Sequence, residues 1–217
     1  MGRKSSGSRY GQKIDAITYI IAFEGDVDEK EYFDSVAIKI QKRFEKLIKV
    51  IPVEKSSTNK SDPASVLRDL SHYCSKNAYD LKHSSVTGFI VIDRDRYFTG
   101  THLTSTTTAL TEARQKKVKV VVSNPSFDLW GLLHFEDLSL LSPNDSEALL
   151  ENKKTSGSTF AKRRLRACKG QLRFSDLPDR IDIALENAAK LDFDKQNPAA
   201  NLGTNMPDLI NELKAYF

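Results

Sequence analysis

Acidic residues follow three separate apolar runs of this chain, each at the point where the run ends. The runs span residues 17–23, 89–92 and 118–122, and the carboxylates that follow them are Glu24, Glu29, Asp93, Asp95 and Asp128. Carboxylates that converge on one point repel each other unless a hard cation lies between them. If the three segments meet, the chemistry they favour is a magnesium-type site that acts on phosphate groups.

The elements around these acids predict that the segments do meet. Short apolar runs rich in β-branched residues predict strands at 17–23, 48–53, 86–92 and 118–122. Helical spacing of apolar residues, and a typical helix start at Asp62, predict helices at about 28–47, 62–76 and 107–116. Strands that alternate with helices favour a parallel sheet, and ligands bind where the carboxyl ends of such strands share an edge.

Strand signals stop after Pro125, and the rest of the chain is predicted to be helical. Helices are expected at about 127–135, 144–153, 160–168, 180–191 and 206–216. The predicted fold is α/β, with a mostly parallel four-stranded sheet flanked by helices. We predict three parts: a flexible basic arm over 1–13, an α/β domain over 14–140, and a helical C-terminal subdomain over 141–217 that packs on it.

The composition is that of an ordinary soluble globular protein. Of the 217 residues, 39% are hydrophobic and 29% are charged, and the net charge is +4. No apolar run approaches the roughly 18 residues that a membrane helix needs, and the N-terminus lacks the apolar core of a signal peptide. Cys74 and Cys168 are expected to be inert thiols in a reducing cytosol. A cytoplasmic location without membrane association is therefore predicted.

Each acidic residue also has an ordinary structural explanation when it is taken singly. Glu24 ends a strand before a glycine that allows close approach to a ligand, but a strand-end acid can simply face water. Asp93 and Asp95 would point to the same side of an extended strand end, although such pairs are common by chance. Glu29 and Asp128 lie near predicted helix starts, where acids interact favourably with the helix dipole.

Basic residues cluster between positions 153 and 173, with no acidic residue among them. A solvated helix face is the usual explanation of such a run, but crowded like charges cost stability unless an anion is their partner. Nucleic acid is the partner we predict. The residues predicted to bind it are Lys153, Lys154, Lys162, Arg163, Arg164, Arg166 and Lys169.

Several common catalytic motifs are absent from the sequence, which contains no GxxxxGK[ST] loop, GxGxxG, HExxH or GxSxG. P-loop nucleotide hydrolysis, dinucleotide binding and serine hydrolase chemistry are therefore disfavoured. His134 lies within an apolar helix, where a core histidine is expected rather than a catalytic one.

Four segments, taken in order, resemble those of RloB-like proteins. Residues 22–33, 91–95, 123–135 and 197–201 resemble that family's motifs "cEGexTExxYF", "vfDrDd", "SNPcFElWlLLHF" and "NPsTn". The third segment is the most specific, and together the four span most of the chain. The sequence departs from the pattern where Asp128 replaces a glutamate, Arg96 replaces the third acid of "DrDd", and Ala199 replaces a threonine.

The resemblance implies the Toprim fold, which topoisomerases, primases and OLD-type nucleases share, and a link to prokaryotic defence loci. By that resemblance Glu24 would be the Toprim glutamate, and Asp93 and Asp95 would be the metal-binding pair. Glu29 matches the second acid of the opening motif, and Asp128 stands at the acid of the third.

Residues and resemblance together predict a nuclease that uses Mg²⁺ or Mn²⁺ to hydrolyse phosphodiester bonds, as an effector of antiviral defence. Asp93 and Asp95 would hold one ion, with Glu24 as a ligand or general acid/base. Glu29 or Asp128 would complete a second site.

RNA such as tRNA is favoured over DNA by analogy. A defence-system partner protein is expected, and an oligomer is compatible with the sequence. The alternatives are a non-catalytic nucleic-acid-binding effector or sensor, a DNA nuclease of the same fold, and a primase-like polymerase.

Overall fold

Five strands and eight α-helices make up the part of the chain that the structure describes. The structure is a computed structural model, and it describes residues 16–56, 62–94, 98 and 100–217. The strands are β1 Ile17–Phe23, β2 Ile48–Val53, β3 Val86–Asp93, β4 Lys119–Asn124 and β5 Gly203–Thr204. The helices are α1 Asp28–Ile38, α2 Pro63–Lys76, α3 Leu103–Gln115, α4 Phe127–Leu133, α5 Pro143–Glu151, α6 Phe160–Lys169, α7 Ile181–Ala188 and α8 Met206–Lys214. The predicted N-terminal arm and Asp95 lie outside the described residues.

The strands form one sheet in the order β2-β1-β3-β4-β5. β1 pairs in parallel with β2 and β3, and β3 pairs in parallel with β4, so the predicted mostly parallel α/β sheet is confirmed. The sheet has one strand more than predicted, because the two-residue β5 pairs antiparallel to β4 and is too short to leave a pattern in the sequence. The strand order changes direction between β1 and β3, and ligands bind at such switch points of α/β sheets.

Helices cover both faces of the sheet because the strands are apolar on both sides. Tyr19, Ile21 and Phe23 belong to a cluster of buried residues that includes side chains from α1, α4, α6, α7 and α8. The alternate residues Ile20 and Ala22 belong to a second cluster, with side chains from α2 and α3. Since residues on both sides of position 140 share the first cluster, the C-terminal helices pack directly on the sheet. No helix in the described ranges is both long and apolar enough to cross a bilayer.

The largest difference between the predicted and observed helices is in α1. The helix predicted to reach residue 47 ends at Ile38, and Lys42–Phe44 form a separate 3₁₀ turn. Gln41 between them is extended, with φ −58° and ψ 142°, and its backbone N–H donates to the carbonyl of Tyr216. Ile40 and Phe44 still pack against the core, so the turn imitates the four-residue spacing of a helix.

The C-terminal part extends the sheet through Asn205, which follows β5. The backbone N–H of Val122 donates to Asn205 Oδ1 at 2.7 Å, and Asn205 Nδ2 donates to the carbonyl of Val120 at 2.9 Å. The side-chain amide therefore pairs with the edge of β4 much as a strand would. Ser123 Oγ and Thr204 Oγ1 lie 2.9 Å apart one residue further along. These contacts fix the carboxyl end of β4, which leads directly into α4.

Candidate active site at the carboxyl edge of the sheet

Glu24 and Asp93 lie side by side at the switch point between β1 and β3. Glu24 directly follows β1, and Asp93 is the last residue of β3. The backbone N–H of Glu24 donates to the carbonyl of Val91 at 3.1 Å, and that of Asp93 donates to Glu24 Oε2 at 3.0 Å. The side chain of Glu24 therefore helps to hold the two strand ends together.

Asp93 in turn connects β3 to the segment that follows β4. Its Oδ1 atom accepts a hydrogen bond of 2.8 Å from the backbone N–H of Phe127, the first residue of α4. The strands are in register at this point, since Asp93 pairs with Ser123. The structure thus brings all three acidic segments to one edge of the sheet, as the sequence predicted.

Glu29 reaches the same edge from the first turn of α1. It is only 7% exposed, and it lies so close to Gly25 that a Cβ atom there would overlap its carboxylate. Gly25 does not have a positive φ. The glycine is therefore needed for close approach of the Glu29 carboxylate rather than for a left-handed turn.

Glu29 and Asp93 border a cleft of about 340 Å³. Its described lining residues are Gly25, Asp26, Val27, Asp28, Glu29, Asp93, Phe127, Asp128 and Lys162. Five of the nine are carboxylates and one is a cation. Asp128 therefore does lie beside Glu29 and Asp93 in the cleft, although it is one methylene shorter than the glutamate of the family pattern.

Burial and mutual repulsion raise the pKa values of three carboxylates in this cleft, Glu29, Asp93 and Asp128. The pKa of Asp93 lies well above its usual value because of burial and the negative charges of Glu24 and Glu29. Burial raises the pKa of Glu29 to about 7, and nearby aspartates add to the shift. Burial likewise raises the pKa of Asp128 to about 6, against the opposing charge of Lys162. Near neutral pH, Glu29 exists in both protonation states and could accept or donate a proton.

The chemistry of the cleft fits a hard divalent cation. A cation would relieve the repulsion between the carboxylates, and carboxylate oxygens are the ligands that Mg²⁺ and Mn²⁺ prefer. Within the described residues, however, no three His, Cys, Asp or Glu side chains form a ready metal-binding group. The predicted pair of Asp93 and Asp95 stays a prediction, because Asp95 lies outside the described part of the chain. Asp93 lines the cleft and Glu24 lies directly beside it, so these two described residues could hold an ion.

Lys162 is the member of the predicted basic segment that lines the cleft. It lies on α6, and its Nζ atom is 3.0 Å from Asp28 Oδ2. Arg166 follows one turn later on the same helix, and its positive charge opposes the burial that raises the pKa of Asp128. Two cations of α6 are thus close enough to the acidic cleft to influence its electrostatics.

Other members of the basic segment make their contacts within the C-terminal part. Acidic residues from outside the segment, together with backbone carbonyls, occupy four of these side chains. The contacts join Lys153 to Glu151, Arg163 to the carbonyl of Ser158, Arg164 to Glu136 and Lys169 to the carbonyl of Leu172. The run that is uninterrupted in sequence is therefore partly neutralised in space, and the role of these four residues in nucleic-acid binding stays a prediction.

Three charged residues at the cleft were not among the predicted site residues. Asp26 and Asp28 line it. Lys55 forms an ion pair with Asp26, with Nζ 3.2 Å from Asp26 Oδ1. The side chain of Lys55 is only 7% exposed. It is the second residue after the carboxyl end of β2, so the strand-end rule that identified the acids could also have found this lysine.

The fold and the cleft together define an α/β protein with an acidic site at the topological switch point of its sheet. The family model described as RloB-like protein matches residues 19–213, and the chain belongs to this family. No curated protein and no solved structure matches the chain. The family resemblance predicted from four short segments is therefore confirmed over nearly the whole sequence.

Replacing Gly25 with alanine is expected to disturb the cleft much more than the fold. The added methyl group would push the Glu29 carboxylate from its buried position, whereas the backbone conformation suits alanine. We expect the free energy of unfolding to change by less than about 1 kcal/mol, because the displaced group is the end of a flexible side chain. If the predicted nuclease activity is present, cleavage of nucleic acid should fall about tenfold, the scale of one lost charged interaction.

The matched test is a double-mutant cycle with Glu29→Ala. If Gly25 acts only by leaving room for Glu29, adding Gly25→Ala to Glu29→Ala should cause no further loss of cleavage. Fully additive losses would show instead that the glycine serves the site in another way.

Proposed function

We propose that this protein is a metal-dependent nuclease that hydrolyses phosphodiester bonds and acts as an effector of antiviral defence. The observation that carries the proposal is the hydrogen-bonded connection from Glu24 to Asp93 and from Asp93 to Phe127. It gathers carboxylates from three separate segments into one cleft beside a lysine. The resemblance to Toprim proteins supports the metal chemistry, and the analogy with defence proteins that act on tRNA favours RNA.

Asp93 and Glu24 would hold a divalent ion, together with Asp95 if its predicted position at the same strand end is right. Bound there, Mg²⁺ or Mn²⁺ would polarise a phosphoryl oxygen and lower the pKa of an attacking water. Glu29 is suited to proton transfer, because its pKa of about 7 allows both protonation states at neutral pH. Asp128 lines the same cleft and, with Glu29, is a candidate for a second ion site.

The experiment that tests the proposal is a cleavage assay on purified protein with tRNA, total RNA and plasmid DNA. Each substrate is incubated with Mg²⁺, with Mn²⁺ and with EDTA. We expect cleavage of RNA that requires a divalent ion and is abolished by EDTA. Cleavage of plasmid alone would identify a DNA nuclease of the same fold. Nucleic-acid binding that survives EDTA, with no cleavage under either ion, would contradict the proposal and identify a non-catalytic effector.

A further inference from the structure

Lys162 alone among the described residues lining the cleft carries a positive charge. Its ammonium group pairs with Asp28 at 3.0 Å, and its charge opposes the raised pKa values of Glu29 and Asp128. The two side chains of the pair are 41% and 33% exposed. Because ion pairs this exposed are weakly held, Lys162 can exchange Asp28 for another anion at little cost.

The backbone around Lys162 is fixed by contacts on both sides of α6. Thr159 caps the helix by accepting a hydrogen bond from the N–H of Lys162, and Asn152 Oδ1 accepts one from the N–H of Ala161. One turn later the side chain of Leu165 packs so tightly on Gly131 of α4 that a Cβ there would lie 2.7 Å from Leu165 Cδ2. The helix that carries Lys162 is therefore packed directly on the helix that begins at the site.

Two neighbouring cations of α6, Arg163 and Arg164, are paired away from the cleft. Arg164 Nε donates to Glu136 at 2.7 Å, and Arg163 Nη1 donates to the carbonyl of Ser158 at 2.6 Å. Lys162 differs from them because its anionic partner, Asp28, itself lines the cleft, so an incoming phosphate would meet this lysine together with the carboxylates.

We propose that Lys162 contacts the phosphate group at the reacting centre, leaving Asp28 as it does so. This inference rests on the proposed nuclease function and assigns one residue a role in it. An ammonium group beside the phosphate would stabilise the negative charge that develops on its oxygens during displacement. Lys162 would then contribute chiefly to the rate of the reaction and little to general affinity for the nucleic-acid backbone.

A second consequence follows from the position of the charge. Before substrate binds, the ammonium group of Lys162 repels any divalent ion held by the carboxylates of the same cleft. Removing this charge should therefore strengthen the binding of Mg²⁺, by about threefold to tenfold for charges several ångströms apart. The same substitution is thus expected to improve metal binding and to impair cleavage, which a loss of folding could not do.

The test compares Lys162→Met and Lys162→Arg with Lys190→Met. Lys190 is a matched control, because it pairs with Asp137 at 2.7 Å with exposures of 49% and 22% and is not among the described residues of the cleft. Cleavage is measured as kcat and KM, and Mg²⁺ affinity is measured from the rise in Tm of the protein without nucleic acid. For Lys162→Met we expect kcat to fall about 10- to 100-fold, with KM almost unchanged and Mg²⁺ bound more tightly. Lys162→Arg should keep much of the activity, and Lys190→Met should match wild type.

The outcomes separate this inference from the proposed function. Wild-type cleavage decides the function, and the variants decide the role of Lys162. If wild type cleaves and Lys162→Met cleaves equally fast, the inference is overturned. It is also overturned if Lys162→Met keeps the wild-type kcat and only binds nucleic acid more weakly and with a smaller salt dependence. That is the behaviour of a contact to the nucleic-acid backbone. If wild type cleaves nothing, the nuclease proposal fails, and with it the role at a reacting phosphate; the Mg²⁺ titration then shows only whether Lys162 faces a cation site.

Discussion

Replacing Asp93 with asparagine is expected to lower the rate of nucleic-acid cleavage by about 10²- to 10³-fold. Asparagine keeps an oxygen that can accept the hydrogen bond from the N–H of Phe127, so the connection between β3 and α4 survives. The substitution removes the negative charge, which is the property that a divalent ion would need. Because the charge of Asp93 is destabilised by burial and by two neighbouring carboxylates, its loss should not reduce the stability of the metal-free protein.

The same variant should lose its response to metal. A ligand present at 100 times its dissociation constant stabilises a folded protein by about 2.7 kcal/mol, so saturating Mg²⁺ should raise the Tm of wild type clearly and that of Asp93→Asn little. Asp62→Asn is the matched control, since Asp62 also accepts a backbone N–H at a helix start, from Ser65 at 3.1 Å, but caps α2 away from the described cleft. An Asp93→Asn protein that cleaves at the wild-type rate and keeps its metal-induced rise in Tm would remove Asp93 from the site.

Lowering the pH is expected to destabilise the protein by about 3 kcal/mol through His134 alone. His134 is fully buried, and burial lowers its pKa from 6.5 to about 4. The geometry supports the neutral ring, in which Nδ1–H donates to the carbonyl of Trp130 at 2.8 Å and Nε2 accepts from the hydroxyl of Tyr32 at 3.4 Å. The unfolded chain binds a proton below pH 6.5, whereas the folded protein does so only near pH 4. The contribution is therefore fully present above pH 6.5 and is lost as the pH falls from 6.5 to 4.

The measurement is the free energy of unfolding of wild type and His134→Gln in urea at a series of pH values from 8 to 4. Glu29 acts in the opposite direction, because its pKa is raised on folding: its contribution to stability is present at low pH and is lost as the pH rises from 4.5 to about 7. The difference between the two proteins cancels this shared effect. We expect wild type to be the more stable at pH 8 and its advantage to shrink towards pH 4. An advantage that is constant across the range would show that His134 does not titrate abnormally.

His83→Gln serves as the control for the histidine experiment. His83 is exposed in a loop, where its Nδ1 lies 2.7 Å from Ser85 Oγ. Its replacement removes a histidine without removing a buried ring, and so controls for the loss of a histidine as such. A change as large as that expected for His134 would mean that the assay reports something other than the buried ring.

The sequence was sufficient to predict where the strands lie and which acids follow them. β1 and β2 have the predicted bounds, because short, continuous runs of apolar β-branched residues have few alternatives to a buried strand. Since parallel strands end at a common edge, placing the strands also placed Glu24 and Asp93 together. The histidine prediction followed from the same reasoning: a residue surrounded by apolar neighbours in the sequence is surrounded by them in the core.

Predictions that depended on contacts between distant segments were less complete. The length of α1 was overestimated, because Ile40 and Phe44 keep helical spacing while the chain between them turns to meet Tyr216. The two residues of β5 pair with β4 where the next residue, Asn205, also bonds to that strand. The spacing of apolar residues shows only which secondary structure a segment favours by itself. The end of α1 and the pairing of β5 both depend on contacts with other segments.

By itself, the sequence determined the α/β class, the family and the edge of the sheet at which the acids gather. Only the tertiary structure decided how these acids are used: Glu24 supports Asp93, Asp93 holds the start of α4, and Glu29 needs the space above Gly25. It also separated Lys162 from neighbouring cations that pair elsewhere. The physical reason is that a strand end is fixed by local apolar pattern, whereas burial, pKa and the partner of a charge depend on residues that are far apart in the chain.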